Sequence, residues 1–132
     1  EGRCAAEAVR RAMRGDIEAL KAIHETLELS AKEGRIDAFF EANQLFHQKV
    51  QEIAGNRWML TVIQDLRKVL KLSRLHSLSL EGRLQQSLAE HRTVMAAIQA
   101  GQPLLAEAAM HDHMLSGREA LAKITEPSSK AA

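Results

Sequence analysis

The amino-acid sequence predicts an all-α protein, an antiparallel bundle of about six helices. Three observations carry that prediction. Ala, Leu, Glu, Gln, Arg and Lys dominate the 132 residues and tyrosine is absent, a composition that favours helix. Apolar residues recur at steps of three and four, and β-branched residues nowhere cluster into a strand. Glycine, asparagine, aspartate and proline punctuate the periodic segments closely enough to leave only short connections, as antiparallel neighbours require. The length suffices for one domain with a substantial core.

Each element follows from that punctuation. The first helix runs from the start of the chain, entered partway, to about Arg14. It stops at Gly15–Asp16, glycine suiting a helix end and aspartate the next N-cap. The second covers Ile17 to Lys32, with Ile17, Leu20, Ile23, Leu27 and Ala31 on one face, and Gly34 stops it. Asp37 is the expected N-cap of the third, Ala38 to Ala54. Gly55–Asn56 ends that helix, and Asn56 caps the fourth, Arg57 to Ser77. Residues Ser79 to Gly82 read as a loop. The fifth helix runs from Arg83 to Ala100 and stops at Gly101. Pro103 opens the sixth, which continues to about Ile124. The organisation expected is one unit over 1–126 and a frayed, disordered tail over 127–132. There is no internal repeat.

The apolar stripes locate the chemistry. The third helix reads Ile36, Phe39/Phe40, Asn43, Phe46/His47, Val50, Ile53/Ala54. The fifth reads Leu84, Leu88, His91, Val94/Met95, Ile98. The sixth reads Ala106, Met110, His113, Gly117, Leu121, Ile124. Each stripe is interrupted near its middle by a histidine, and Asn43 lies one turn from His47 on the same face. A polar group on an inward face costs free energy unless it is satisfied. One inward histidine is ordinarily a core residue bonded to a carbonyl or a water. Three, with an amide beside one of them, suit a divalent metal. His24 and His76 sit at stripe edges and read as boundary residues, and His111 faces solvent.

The fourth helix is apolar on two adjacent stripes. One is Met59, Val62, Leu66, Val69, then Ser73 and His76. The other is Leu60, Ile63, Arg67, Leu70, Arg74. So wide an arc is expected to be buried in the bundle or in a subunit interface. Arg67 and Arg74 share a face among apolar neighbours and suit an anionic ligand, against the plainer reading that they reach solvent or pair with glutamate. Arg83, beside Gly82, is a weaker candidate of the same kind.

Other classes are excluded or disfavoured. A net charge of +1 argues against a nucleic-acid binder, which carries a basic patch. No apolar run approaches the roughly 18–20 residues of a membrane span. The single cysteine, Cys4, forbids an internal disulfide, fits a reducing cytoplasm and reads as a small packing residue.

These residues together resemble the effector-binding and dimerisation (FCD) domain of GntR-type transcriptional regulators, in the FadR-like subfamily. The most specific stretches are DAFFEANQLFHQKVQEIAGN and GRLQQSLAEHRTVMAAIQAGQPLLAEAAMHDHM. They hold Asn43, Phe46–His47, Gly55–Asn56, Glu90–His91, the run Ala97 to Gly101, and His113 in the family's order. The resemblance implies a helical bundle binding a small organic or sugar acid. It also implies a divalent metal on Asn43, His47, His91 and His113, zinc foremost, with nickel, manganese or iron as alternatives. Arg67, Arg74 and Arg83 are the expected effector contacts. Many members carry aspartate where this chain has Asn43, and a neutral amide is the poorer ligand. The resemblance further implies a cytoplasmic homodimer that reaches DNA only through an N-terminal winged helix-turn-helix domain, which is absent from this chain.

A helical metal-dependent hydrolase is the rival reading, since three histidines and an open position can activate water. No acidic residue on the inner stripes is placed as its general base, and Glu90 is expected to point away from His91's direction. A metal-free scaffold is the third reading. The sensor is preferred, and no enzymatic activity is expected.

Overall fold

The computed structural model describes residues 1–125. Among them are seven helices: α1 (Gly2–Arg11), α2 (Arg14–Lys32), α3 (Ile36–Ala54), α4 (Arg57–Val69), α5 (Lys71–Ser77), α6 (Arg83–Gln99) and α7 (Pro103–Thr125). The tail expected over 127–132 lies outside the described residues.

Five helices form a closed ring in which each packs on two neighbours, in the order α1, α7, α6, α2, α3 and back to α1. The stripes predict its interior. Leu20, Leu27 and Ala31 of α2, Phe39, Phe46 and Val50 of α3, Leu88, Val94 and Ile98 of α6, and Ala106 and Met110 of α7 are all buried. α1 contributes small residues, Cys4, Ala5, Ala6 and Ala8, which let its backbone approach closely. At Gly2 an added Cβ would lie 3.3 Å from the Glu107 carbonyl of α7.

The termini obey local chemistry. Gly55 ends α3 at φ 78°, a left-handed conformation that costs glycine nothing. Asn56 then caps α4, its Oδ1 accepting from the Met59 N–H at 3.0 Å.

Three boundaries differ from the sequence reading. α1 stops at Arg11, and Gly15–Asp16 falls inside the first turn of α2. Asp16 is three residues into that helix and accepts from the Met13 N–H at 2.9 Å. It satisfies the helix start from within. Likewise α3 begins at Ile36, after Arg35, and Asp37 sits in its first turn, where its charge favours the helix dipole. The largest difference is that the expected fourth helix is two, broken at Leu70. Neither glycine nor proline causes the break. α4 packs on α3, whereas α5 packs on α7 and α3, and one straight rod does not serve both.

The break leaves α4 on the outside of the ring. One stripe expected to be buried is solvent-exposed in the single chain: Val62 is 58 % exposed, Leu66 59 % and Val69 82 %, and Trp58, outside both stripes, adds 75 % exposure beside it. Arg67 is the one buried residue of α4.

Candidate metal centre and adjoining cavity

Three ring helices deliver the histidines. His47 from α3, His91 from α6 and His113 from α7 are all buried. Each offers a ring nitrogen, and those nitrogens all lie within 4.8 Å of one another. His113 Nε2 and His47 Nε2 are 3.2 Å apart. Phe39 and Phe46 meet the His91 ring edge-on, with centroids at 6.2 and 5.3 Å, and close the apolar side of the cluster.

The outward nitrogens of two rings are engaged. His91 Nδ1 lies 2.7 Å from the Ser87 carbonyl one turn back. A carbonyl only accepts, so Nδ1 carries the proton and His91 Nε2 keeps a bare lone pair. That Nε2 is buried and has no hydrogen-bond partner among the described residues. His113 Nδ1 lies 2.6 Å from Glu90 Oε2. His47 is less settled, its Nδ1 standing 3.5 Å from Glu1 Oε1 with no hydrogen bond.

Protonation does not relieve this crowding cheaply. Burial pushes His47 and His91 well below the usual imidazole range. For His47 the Arg67 charge adds to burial; for His91 the neighbouring His113 does. Burial also lowers His113, against the opposing pull of Glu90. Neutral imidazoles whose ring nitrogens meet at one point are what a divalent cation requires.

Asn43 is buried on the same helix as His47, and its Oδ1 lacks a hydrogen-bond partner among the described residues. Orphaned buried acceptors are rare and call for an explanation. A cation at the three imidazoles would account for His91 Nε2, so those residues fit a metal, and Asn43 shares a cavity lining with His113.

A small cavity of about 40 Å³ adjoins the cluster; Asn43, Arg74, Ser77, Arg83 and His113 are among its lining residues. It divides the three arginines. Arg74 reaches it with a sealed Nε that has no partner among the described residues. Burial pushes this guanidinium down to about 10, aided by the charges of Arg67 and Arg83 and opposed by Glu1, so it stays a cation at neutral pH. Arg83 also lines the cavity, but its Nη1 is held by both Glu90 oxygens at 3.0 and 3.2 Å. Arg67 is not in the lining. Its guanidinium binds Glu1 Oε1 at 2.8 and 2.6 Å and Gln44 Oε1 at 3.0 Å.

The lesser histidines separate as well. His111 is exposed at the side chain and His24 is half-buried, while His76 is exposed rather than at a boundary. The sequence reading assigned Glu90 no role beyond pointing away from His91's direction, and did not single out Glu1. Glu90 does not point idly away: it spans from α6 to His113 on α7. Glu1 ties Arg67 and Gln51 together. Glu90 lies seven residues from Arg83, which places both on one face of α6; that spacing was the available signal. No helix of the described residues is long and apolar enough to cross a membrane.

The sequence matches the FCD domain family over residues 1–116. Among solved structures the fold is similar to E. coli McbR/YncC, with a TM-score of 0.82 at 18 % sequence identity. The match covers 92 % of this chain and 61 % of that one, so the chain spans 61 % of the length of that relative. No curated protein matches the sequence.

Proposed function

The chain belongs to the FCD domain family, and on that premise we propose that it is the sensing and dimerisation domain of a GntR-type transcriptional regulator, responding to a small carboxylate through a divalent metal. One observation carries the reading. Three buried neutral imidazoles converge beside a cavity that is lined by Asn43, with its orphaned amide oxygen, and by Arg74, whose Nε has no partner among the described residues.

His47, His91 and His113 would hold the metal, with Asn43 as the oxygen donor. The nitrogen-rich set suits zinc, and nickel, manganese or iron are the alternatives. When bound, the metal supplies Lewis-acid attraction for a carboxylate oxygen. The chain's own residues do the rest. Arg74 faces the cavity with hydrogen-bonding capacity to spare and would neutralise the acid, a pairing in which guanidinium and carboxylate match in shape. Arg83 would contribute less, because Glu90 already occupies it. Arg67 anchors α4 and is set aside as an effector contact. The cavity lies where α5 meets α7 and α3, so an occupant favours one placement of α5 over another by no more than its differential affinity.

The direct test is metal analysis on protein purified without a nickel column, followed by calorimetric titration with a panel of small organic and sugar acids. Near-stoichiometric metal and at least one acid bound are expected. Arg74→Gln should then weaken that acid about 10–100-fold, the worth of a charge-assisted hydrogen bond, with metal content unchanged. Acid binding that ignores Arg74 would reject its role. A hydrolase has less support: Glu90 and Glu1, the carboxylates beside the cluster, are both tied by neighbouring donors. Turnover of esters or phosphate esters is expected to stay at background.

The exposed stripe of Trp58, Val62, Leu66 and Val69 is the proposed dimer face. It offers the contiguous apolar surface that a second copy covers, and a symmetric dimer suits a regulator that reads paired half-sites. Leu66→Glu together with Val69→Glu should convert dimer to monomer in sedimentation velocity. An unchanged mass would move the interface elsewhere. DNA binding, cytoplasmic location and the direction of regulation belong to the whole regulator; this near-neutral domain is not expected to bind DNA alone.

A further inference from the structure

Glu90 stands next to His91 in sequence but serves a different helix. Its Oε2 lies 2.6 Å from His113 Nδ1, across the seam between α6 and α7. An ionised carboxylate only accepts hydrogen bonds. The contact therefore fixes the His113 proton on Nδ1 and leaves Nε2 bare, and Nε2 is the atom turned toward His47. Arg83 grips Glu90 from the other side with Nη1.

The three rings are thus unequally held. His91 is set by a backbone carbonyl of its own helix. His113 depends on a side chain from another helix. His47 has no hydrogen bond at Nδ1. Fixing the outer nitrogen of a ligating histidine sets its tautomer and orientation and raises its basicity.

We propose that Glu90 is the positioning residue for a cation at the three-histidine cluster: it holds the ring of His113 in the tautomer and orientation that ligate, and Arg83 holds Glu90 in place. The proposal rests on the metal-sensing reading above and adds a residue to it that touches neither cation nor effector. It also explains why the Arg83 charge is spent within the protein, leaving Arg74 as the cavity's unengaged guanidinium.

The rival role for Glu90 is a plain bridge between α6 and α7, and the two roles separate experimentally. Metal-stripped wild type and Glu90→Gln are titrated with Zn²⁺ alone against a chromophoric chelator, and their thermal midpoints are recorded. Positioning predicts Zn²⁺ affinity about 10–100-fold weaker in the variant, with the stoichiometry unchanged. A plain bridge predicts a lower midpoint with equal Zn²⁺ affinity, which would overturn the proposal. Nitrogen-15 NMR of the metal-free wild type at neutral pH needs no variant to fold. It should show His113 protonated at Nδ1, and an Nε2-protonated His113 would overturn the proposal by itself. Wild type that takes up no Zn²⁺ at all would instead overturn the sensor reading, a failure distinct from equal affinity in the two proteins.

Discussion

Replacing His91 with alanine is expected to abolish metal retention through gel filtration, while His111→Ala leaves it intact. His91 is fully buried and directs an unpartnered Nε2 at the cluster. Without it two imidazoles and a neutral amide remain, a weaker set than the three imidazoles, or the two imidazoles and a charged carboxylate, of open zinc sites. His111 is exposed and serves as the matched control for losing an imidazole. Thermal unfolding gives a second readout. A ligand at about 1,000 times its dissociation constant stabilises by about 4 kcal/mol, which in a domain of this size raises the midpoint by about 10 °C or more. Wild type and His111→Ala should show that rise with Zn²⁺, and His91→Ala should not. If His91→Ala keeps both the metal and the rise, the cluster does not hold the cation. If it loses the metal but binds the acid with unchanged affinity, the metal is structural and the effector is recognised without it.

What the sequence made legible, and what it hid, follows one physical divide. The three histidines could be read because each interrupts a local periodic pattern, and helical periodicity is a property of neighbouring residues. The same holds for Gly55 and Asn56, where the αL turn and the cap are settled within a few residues. The break at Leu70 was not legible because no local residue demands it. It arises from α4 and α5 packing on different partners, a tertiary cause. Glu90 was hidden for a related reason. The stripe of α6 runs through Leu88, His91 and Met95, and Glu90 lies about a quarter-turn from His91. Its carboxylate reaches sideways to α7, and which helix stands there is not written into α6. Arg67 looked like an effector contact because a cation among apolar residues invites an anion. Its anion proved to be Glu1, 66 residues away.

Acid should unfold the metal-free domain at a pH where its carboxylates are still ionised. His47, His91 and His113 are all pushed below the ordinary imidazole value, burial being the leading cause in each. In the unfolded chain the same rings return to about 6.5. Between that value and the depressed folded ones, the unfolded state binds more protons than the folded state. Stability therefore falls as pH drops through this window, and these rings add no pH dependence above about 7.5. Each contributes a slope of about 1.4 kcal/mol per pH unit, so three reach about 4 kcal/mol per unit. That is a large share of the roughly 5–15 kcal/mol available to a typical domain. Urea unfolding of metal-stripped protein at pH 7.5, 6.5 and 5.5 measures the slope directly. Little change is expected over the first interval and a steep loss over the second. Metal-loaded protein should hold its stability further into acid, because protons must displace the cation before they reach the rings. A flat profile for the stripped protein would mean that the rings accept protons as readily inside the bundle as in water. The buried, neutral cluster on which the sensor depends would then not exist.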